Sequence, residues 1–257
     1  MVEWYIGTSG FSFDDWIGTV YPNNIKKEEM FTYYWYHYGF NCVELNFTFY
    51  QVPSEKTIIR IVRKAPRDFK FSIKLHKSIT HDGKLDEIDS FLSKMRILEE
   101  ENRLIGYLAQ FPYSFRMDDR NRELVNAIAS RIGSEKLFIE FRHDSWVEYC
   151  KETCNNFNYV MVDLPSVRNL FPRTSLERNG NVYLRLHGRN LEWFESDEKR
   201  RYDYNYTEEE LSELLSVLSQ VRLSRAFVFF NNCYRGQALK NALVFRTFVG
   251  GEKIAIF

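Results

Sequence analysis

"CVELNFTFYQVPS", residues 42–54, carries Val43, Leu45, Phe47 and Phe49, enough apolar bulk to read as a strand buried on both sides. Glu44 and Asn46 sit inside it. A carboxylate and an amide in such a run must find partners, because an unpaired buried amide alone costs about 2–7 kcal/mol. Side chains alternate along a strand, which puts Cys42, Glu44 and Asn46 on one face together. The stretch therefore implies a polar destination inside an otherwise apolar fold.

Working outward, the apolar run Cys42–Phe47 has seven companions: Trp4–Thr8, Lys70–His76, Ile105–Phe111, Leu137–Arg142, Tyr159–Asp163, Val182–His187 and Ala226–Asn231. Amphipathic stretches such as "LDEIDSFLSKMRILEEEN", "RELVNAIASRI" and "TEEELSELLSVLSQV" separate them, and Thr207 and Glu210 have capping-box spacing. Strand and helix thus alternate, as parallel βαβ units require. Eight such units in 257 residues predict a single-domain (β/α)₈ barrel of the TIM type over residues 1–257. An open doubly wound sheet is the alternative, but "GTSGF" after the first run does not match G-x-G-x-x-G. The link between the sixth and seventh runs, "LPSVRNLFPRTSLERNGN", holds two prolines and predicts an irregular connection in place of a full helix.

The alternation that pairs Glu44 with Asn46 selects Ser72, Lys74 and His76 in the third run, and Leu108 and Gln110 in the fourth. The fifth gives Phe138, Glu140 and Arg142; the sixth Met161 and Asp163; the seventh Tyr183, Arg185 and His187; the eighth Phe229 and Asn231. In each case the polar residue comes late, at the end of a barrel where active sites assemble. Glu44 is expected beside Lys74, and Glu140 beside Arg142. A neutral buried ion-pair network that only specifies the fold is the competing explanation. Stability alone is a poor reason for it, since apolar replacements of such networks are often neutral or stabilising by about 1–4 kcal/mol.

The charges balance at 35 basic and 35 acidic residues, so nothing marks the whole surface as a polyanion binder. Cys42, Cys150, Cys154 and Cys233 form no C-x-x-C pair, which suggests free thiols in a reducing cytoplasm. No stretch reaches the ~18 apolar residues of a membrane span, and "MVEWYIGTSG" lacks the regions of a signal peptide. A cytoplasmic protein with no membrane contact is expected. The aromatic content of 17% supplies the core and leaves rings for a binding cleft.

In the same order along the chain, "IGTSGFSFDDWIGTVYP", "NCVELNFTFYQVPS", "FKFSIKLHKSITH", "IEFRHDSW", "VYLRLHGR" and "VFFNN" followed by "NALVF" resemble the motifs of the YecE-like family, domain of unknown function seventy-two. The resemblance covers almost the entire chain and implies a (β/α)₈ barrel. It implies no activity, because the family is uncharacterised. Cys233 departs from it, standing where the family pattern leads to a His or Thr.

For chemistry, Lys74, Arg142, Arg185 and Arg189 offer donors suited to phosphate or carboxylate near one mouth. Asn46, His76, Gln110, Asp163 and Asn231 complete the expected binding set. Glu44, Lys74, Glu140 and His187 are the acid/base candidates, with His187 expected to titrate near neutrality. A divalent metal would have His76, His187, Glu44, Glu140 and Asp163 to choose from, but no H-E-x-x-H is present and the neighbouring cations oppose it. No cofactor is expected. Ser9 lacks a nucleophile elbow, and Cys42 lies deep in its strand. Trp16, Tyr21, Trp193, Tyr202 and Tyr204, in the loops "SGFSFDDWIGTVYPNN" and "GRNLEWFESDEKRRYDYN", are candidates to stack on a ring or a base. Three readings stand together: an acid/base enzyme for a small or medium anionic substrate, a nucleic-acid-binding or phosphodiester-processing protein, and a non-catalytic binder of an anion. Reaction class, substrate and oligomeric state are left open.

Overall fold

The structure, a computed structural model, describes residues 2–174, 177–195 and 198–250. Its strands are β1 (Glu3–Thr8), β2 (Cys42–Leu45), β3 (Lys70–Lys74), β4 (Leu104–Gln110), β5 (Leu137–Glu140), β6 (Asn158–Asp163), β7 (Asn181–Leu186) and β8 (Arg225–Phe230). All neighbours pair in parallel, in the order β1-β8-β7-β6-β5-β4-β3-β2. A parallel bridge between Ser9 and Glu44 joins the two ends, giving the nearly closed (β/α)₈ barrel that the alternation predicts. Gly7 permits that seam, since a Cβ there would stand 2.5 Å from the Cys42 carbonyl oxygen.

The outer helices form where the sequence places caps and apolar stripes. Ser54 accepts from the Thr57 N–H to open Glu55–Lys64, which buries Ile58 and Val62 before Pro66. Asp118 accepts from Asn121 to open Asp119–Ile132, and the Thr207–Glu210 capping box opens Glu208–Ser219. Among the described residues, no helix fills the link between β6 and β7, as Pro165 and Pro172 predict.

Rings fill the lower interior: Tyr5 stacks on Phe227 at 5.4 Å, and Tyr183 meets Phe138 at 4.7 Å and Phe229 at 5.1 Å. Charged side chains occupy the layer above them.

The opening stretch departs from its reading as one long strand. β2 stops at Leu45, Asn46 adopts helical backbone angles, and Phe47–Tyr50 forms a helical turn. Thr48 fixes this turn by donating Oγ1 to the carbonyls of Leu45 (2.8 Å) and Lys74 (2.6 Å). A second departure concerns β6. Register places Val162 beside the inward Arg185 and Asp163 beside Leu186, so Asp163 faces the helices and not the barrel axis.

Candidate functional site

Glu44, Glu140 and Arg185 are buried side chains of β2, β5 and β7 that meet on the barrel axis. Arg185 grips Glu44 with two bonds, Nε to Oε2 at 2.9 Å and Nη2 to Oε1 at 2.7 Å, and donates Nη1 to Glu140 Oε2 at 2.6 Å. Arg142, just past β5, donates Nε to the other Glu140 oxygen at 2.6 Å. Tyr183 donates its hydroxyl to Glu44 Oε2 at 2.6 Å and lies 2.8 Å from Ser72 Oγ. Two carboxylates and two guanidiniums thus alternate, and their charges cancel.

The environment fixes their protonation. Burial works to raise the Glu140 carboxyl, but Arg142 and Arg185, with His187, hold it well below the usual carboxylate range. Burial works to lower Arg185, yet Glu140 and Glu44 outweigh it and keep the guanidinium charged. His187 behaves otherwise than expected from its sequence: burial, then the adjacent Arg142, push it down to about 3, so the ring is neutral. Its Nδ1 lies 2.9 Å from Asn231 Nδ2 and accepts from it, which assigns the proton to Nε2, 3.4 Å from Glu140 Oε1.

Above this layer a cavity of about 390 Å³ opens at the C-terminal mouth. Its polar wall includes Ser9, Asn46, Lys74, Gln110, Arg142 and Asn231, and its rings are Phe13, Phe49, Tyr50, Tyr113, Trp193 and Tyr202. Lys74, the last residue of β3, donates Nζ to Gln110 Oε1 at 2.8 Å and stands 4.1 Å over the Phe49 ring. Gln110 donates its own Nε2 to the Phe111 carbonyl at 2.7 Å, which fixes the amide with its oxygen toward Lys74. Among the described residues no carboxylate lies within ion-pair distance of this amine. Glu44, its expected partner, is taken by Arg185 instead. Burial, then Arg185, lower Lys74 to about 7 against the opposing pull of Glu140 and Glu44. Among the described residues the Asn46 side-chain oxygen, in the same cavity, is buried without a hydrogen-bond partner.

The predicted site residues therefore fall into three groups. Asn46, Lys74, Gln110, Arg142 and Asn231 line the cavity; Glu44, Glu140, Arg185 and His187 form its buried floor. Asp163, Arg189 and His76 stand apart. Asp163 accepts from Arg189 Nε (2.9 Å), Arg173 Nη1 (3.2 Å) and the Tyr206 hydroxyl (2.7 Å), and Arg189 also pairs with Glu210, all on the outer side of β6. His76 lies beyond the end of β3, where its Nδ1 accepts from the Ser78 N–H and caps the turn Lys77–Thr80. A single parity per run cannot foresee either exit, because β6 enters the barrel in the opposite phase and β3 ends before His76.

Trp16 and Tyr21 are buried packing residues, and Tyr204 bonds to Glu210, whereas Trp193 and Tyr202 do line the cavity. Ser196 and Asp197 of the second loop lie outside the described residues. Phe49, Tyr113 and His81 complete the wall without having been singled out from sequence. A signal existed: Phe13, Phe49 and Tyr113 each follow a strand end (Thr8, Leu45, Gln110) by a few residues. Among the described residues, no three His, Cys, Asp or Glu side chains gather in a metal-holding group, and no helix is long and apolar enough to cross a membrane.

The family model described as "Protein of unknown function DUF72" matches residues 5–255. The chain belongs to the DUF72 family. It is 25% identical to the UPF0759 protein YunF of Bacillus subtilis, over 92% of this chain and 91% of that one. A shorter match, 34% identical over 30% of this chain and 29% of the relative, is to the UPF0759 protein YecE of Escherichia coli. The solved DUF72 protein of Thermotoga maritima is 41% identical and superposes with a TM-score of 0.88 over 97% of this chain and all (100%) of that one. A DUF72 protein of Enterococcus faecalis is 26% identical, with a TM-score of 0.83 over 98% of this chain and 96% of its own. None of these names states an activity.

Proposed function

We propose that this barrel is an acid/base enzyme that holds a small or medium anionic substrate in the mouth cavity and moves a proton through Lys74. The observation that carries this reading is the contrast between the strand cations: Arg142 and Arg185 are each bonded to a carboxylate, whereas Lys74, among the described residues, meets an amide oxygen and a ring and no carboxylate. The floor is neutral, so among the described residues the protonated amine brings to the cavity a charge that no carboxylate at ion-pair distance offsets; Arg201, at the rim, is held by the Trp193 carbonyl and ring. An amine at about 7 is also poised for proton transfer at neutral pH. Arg142, Asn231 and Asn46 are the binding groups of this reading. Glu44, Glu140 and His187 serve it from below, by holding Arg185 and Arg142 in place and setting the field at Lys74.

An anion beside Lys74 favours its ammonium form, so binding near pH 7 takes up about half a proton. Calorimetric titration with sulfate, which does not itself titrate there, measures this in buffers of different ionisation enthalpy at constant ionic strength. Proton uptake is expected in the native protein and lost in Lys74→Met. Sulfate binding without uptake, or no binding, would sink the reading. Turnover of phosphorylated or carboxylated small molecules then separates an enzyme from a non-catalytic anion binder. The rim rings give the nucleic-acid reading its one support; strongly salt-dependent binding of a single strand would favour it instead.

A further inference from the structure

We propose that Lys74 is also a covalent site, whose amine condenses with the carbonyl of an aldehyde or ketone bearing an anionic group and holds it as an imine in the mouth cavity. The inference rests on the reading above that the cavity takes an anion, and it narrows the substrate class to carbonyl compounds.

An imine-forming amine must be neutral when it attacks, reachable by the carbonyl carbon, and tethered without losing its lone pair. Lys74 meets each requirement through its neighbours. Gln110 takes one N–H into its fixed oxygen and leaves the lone pair available. Phe49 covers one side of the amine, while the other faces the cavity. The charged groups around it are Glu44 on β2, Glu140 and Arg142 at β5, Arg185 on β7 and His81 beyond β3. Glu44 and Glu140 are bonded to guanidiniums and do not reach Nζ, so among the described residues no ion pair holds the amine protonated. Burial and Arg185 then bring it to about 7, which leaves a substantial neutral fraction at physiological pH. Arg142, across the same cavity, is placed to receive the anionic end of the ligand.

The step balances without another reactant. The Lys74 nitrogen bonds to the carbonyl carbon as the C=O π bond breaks, and one amine proton passes to the oxygen. The carbinolamine then loses its C–O bond as the second amine proton leaves with the hydroxyl as water, giving C=N. Once protonated, the imine nitrogen withdraws electrons from the adjacent carbon, so Lys74 acts on the bound carbonyl compound as an electron sink.

The test is reductive trapping of the full chain with D-glyceraldehyde 3-phosphate and sodium cyanoborohydride at pH 7, followed by peptide mass spectrometry. Lys77, exposed three residues on, is the internal control. Lys74, held in the cavity between Gln110 and Phe49, should be labelled about tenfold faster or more than this solvent-facing lysine. Sulfate should slow labelling at Lys74 and leave Lys77 unchanged. Lys74→Arg, checked for folding by its thermal transition, should lose the fast adduct. Labelling of Lys74 no faster than Lys77, or labelling indifferent to sulfate, overturns the proposal. If sulfate still binds with proton uptake in that case, the acid/base reading survives and only the covalent step falls; if uptake is absent too, both fall.

Discussion

Two ionic clusters sit at the same end of the barrel and differ in what surrounds them. The inner one, Glu44, Arg185, Glu140 and Arg142, is buried, with Glu44 and Glu140 at 0% exposure and Arg185 at 1%, and meets the cavity through Arg142 at its upper edge. The outer one holds Asp163 against Arg173 and Arg189, whose side chains are 28% and 22% exposed, and reaches Glu213 at 47%. In the inner cluster each carboxylate is matched by a guanidinium among buried groups, so a lost partner leaves a charge with little water to relieve it. In the outer cluster Arg189 has three carboxylates, and water stands beside them. Late-strand polar residues build both. Which face they point to decides whether they support a cavity or pin a loop and a helix.

The largest effect expected is from Arg185→Met, which strands two buried carboxylates and should cost about 3–5 kcal/mol in urea unfolding. A cost no greater than that of Asp163→Asn would erase the distinction between the clusters. Glu44→Ala should be worse than Glu44→Gln by about 1–2 kcal/mol, because Gln keeps the volume and one acceptor for Arg185. Asp163→Asn itself should cost about 1–3 kcal/mol and leave sulfate binding intact; altered binding would tie the outer cluster to the cavity.

Lys74 sharpens the comparison through pH. Above about 7 the folded chain has released a proton that the unfolded lysine keeps until near 10.5, so the folded state binds fewer protons across that window. Stability attributable to Lys74 therefore rises with pH there, by at most about 1.4 kcal/mol per unit, and is lost as pH falls toward 7. Lys74→Met should flatten that rise, and parallel stability curves for the two proteins would place the amine in a wetter setting. His187 acts in the acid range with the same sign. Its stability contribution is present above 6.5 and lost as pH falls toward about 3, a loss that His187→Gln should reduce. Smallest of all, Glu213→Ala, at the exposed margin of the outer cluster, should cost less than about 1 kcal/mol.

Much of the site was legible because β-strand alternation is a local rule. Lys74, Gln110, Glu140, Arg142, Arg185 and His187 follow from it directly. The pairings did not follow, since Glu44 lies beside β3 yet is reached by the longer Arg185 from across the barrel. Nor did Asp163, because the face a strand presents depends on its phase against its neighbours and not on its own letters.

By itself the sequence determined the class of fold, the chain order of eight strands, the irregular link after β6 and the end of the barrel where polar side chains collect. These depend on periodicity, capping and proline chemistry, all of which act over a few residues. Only the tertiary structure decided that the acids and arginines neutralise one another as a buried floor, that His187 is held neutral, and that Lys74 is left facing a cavity rimmed by aromatic rings. Those outcomes depend on distances between strands far apart in the chain and on how much water remains between them, quantities that exist only once the barrel has closed.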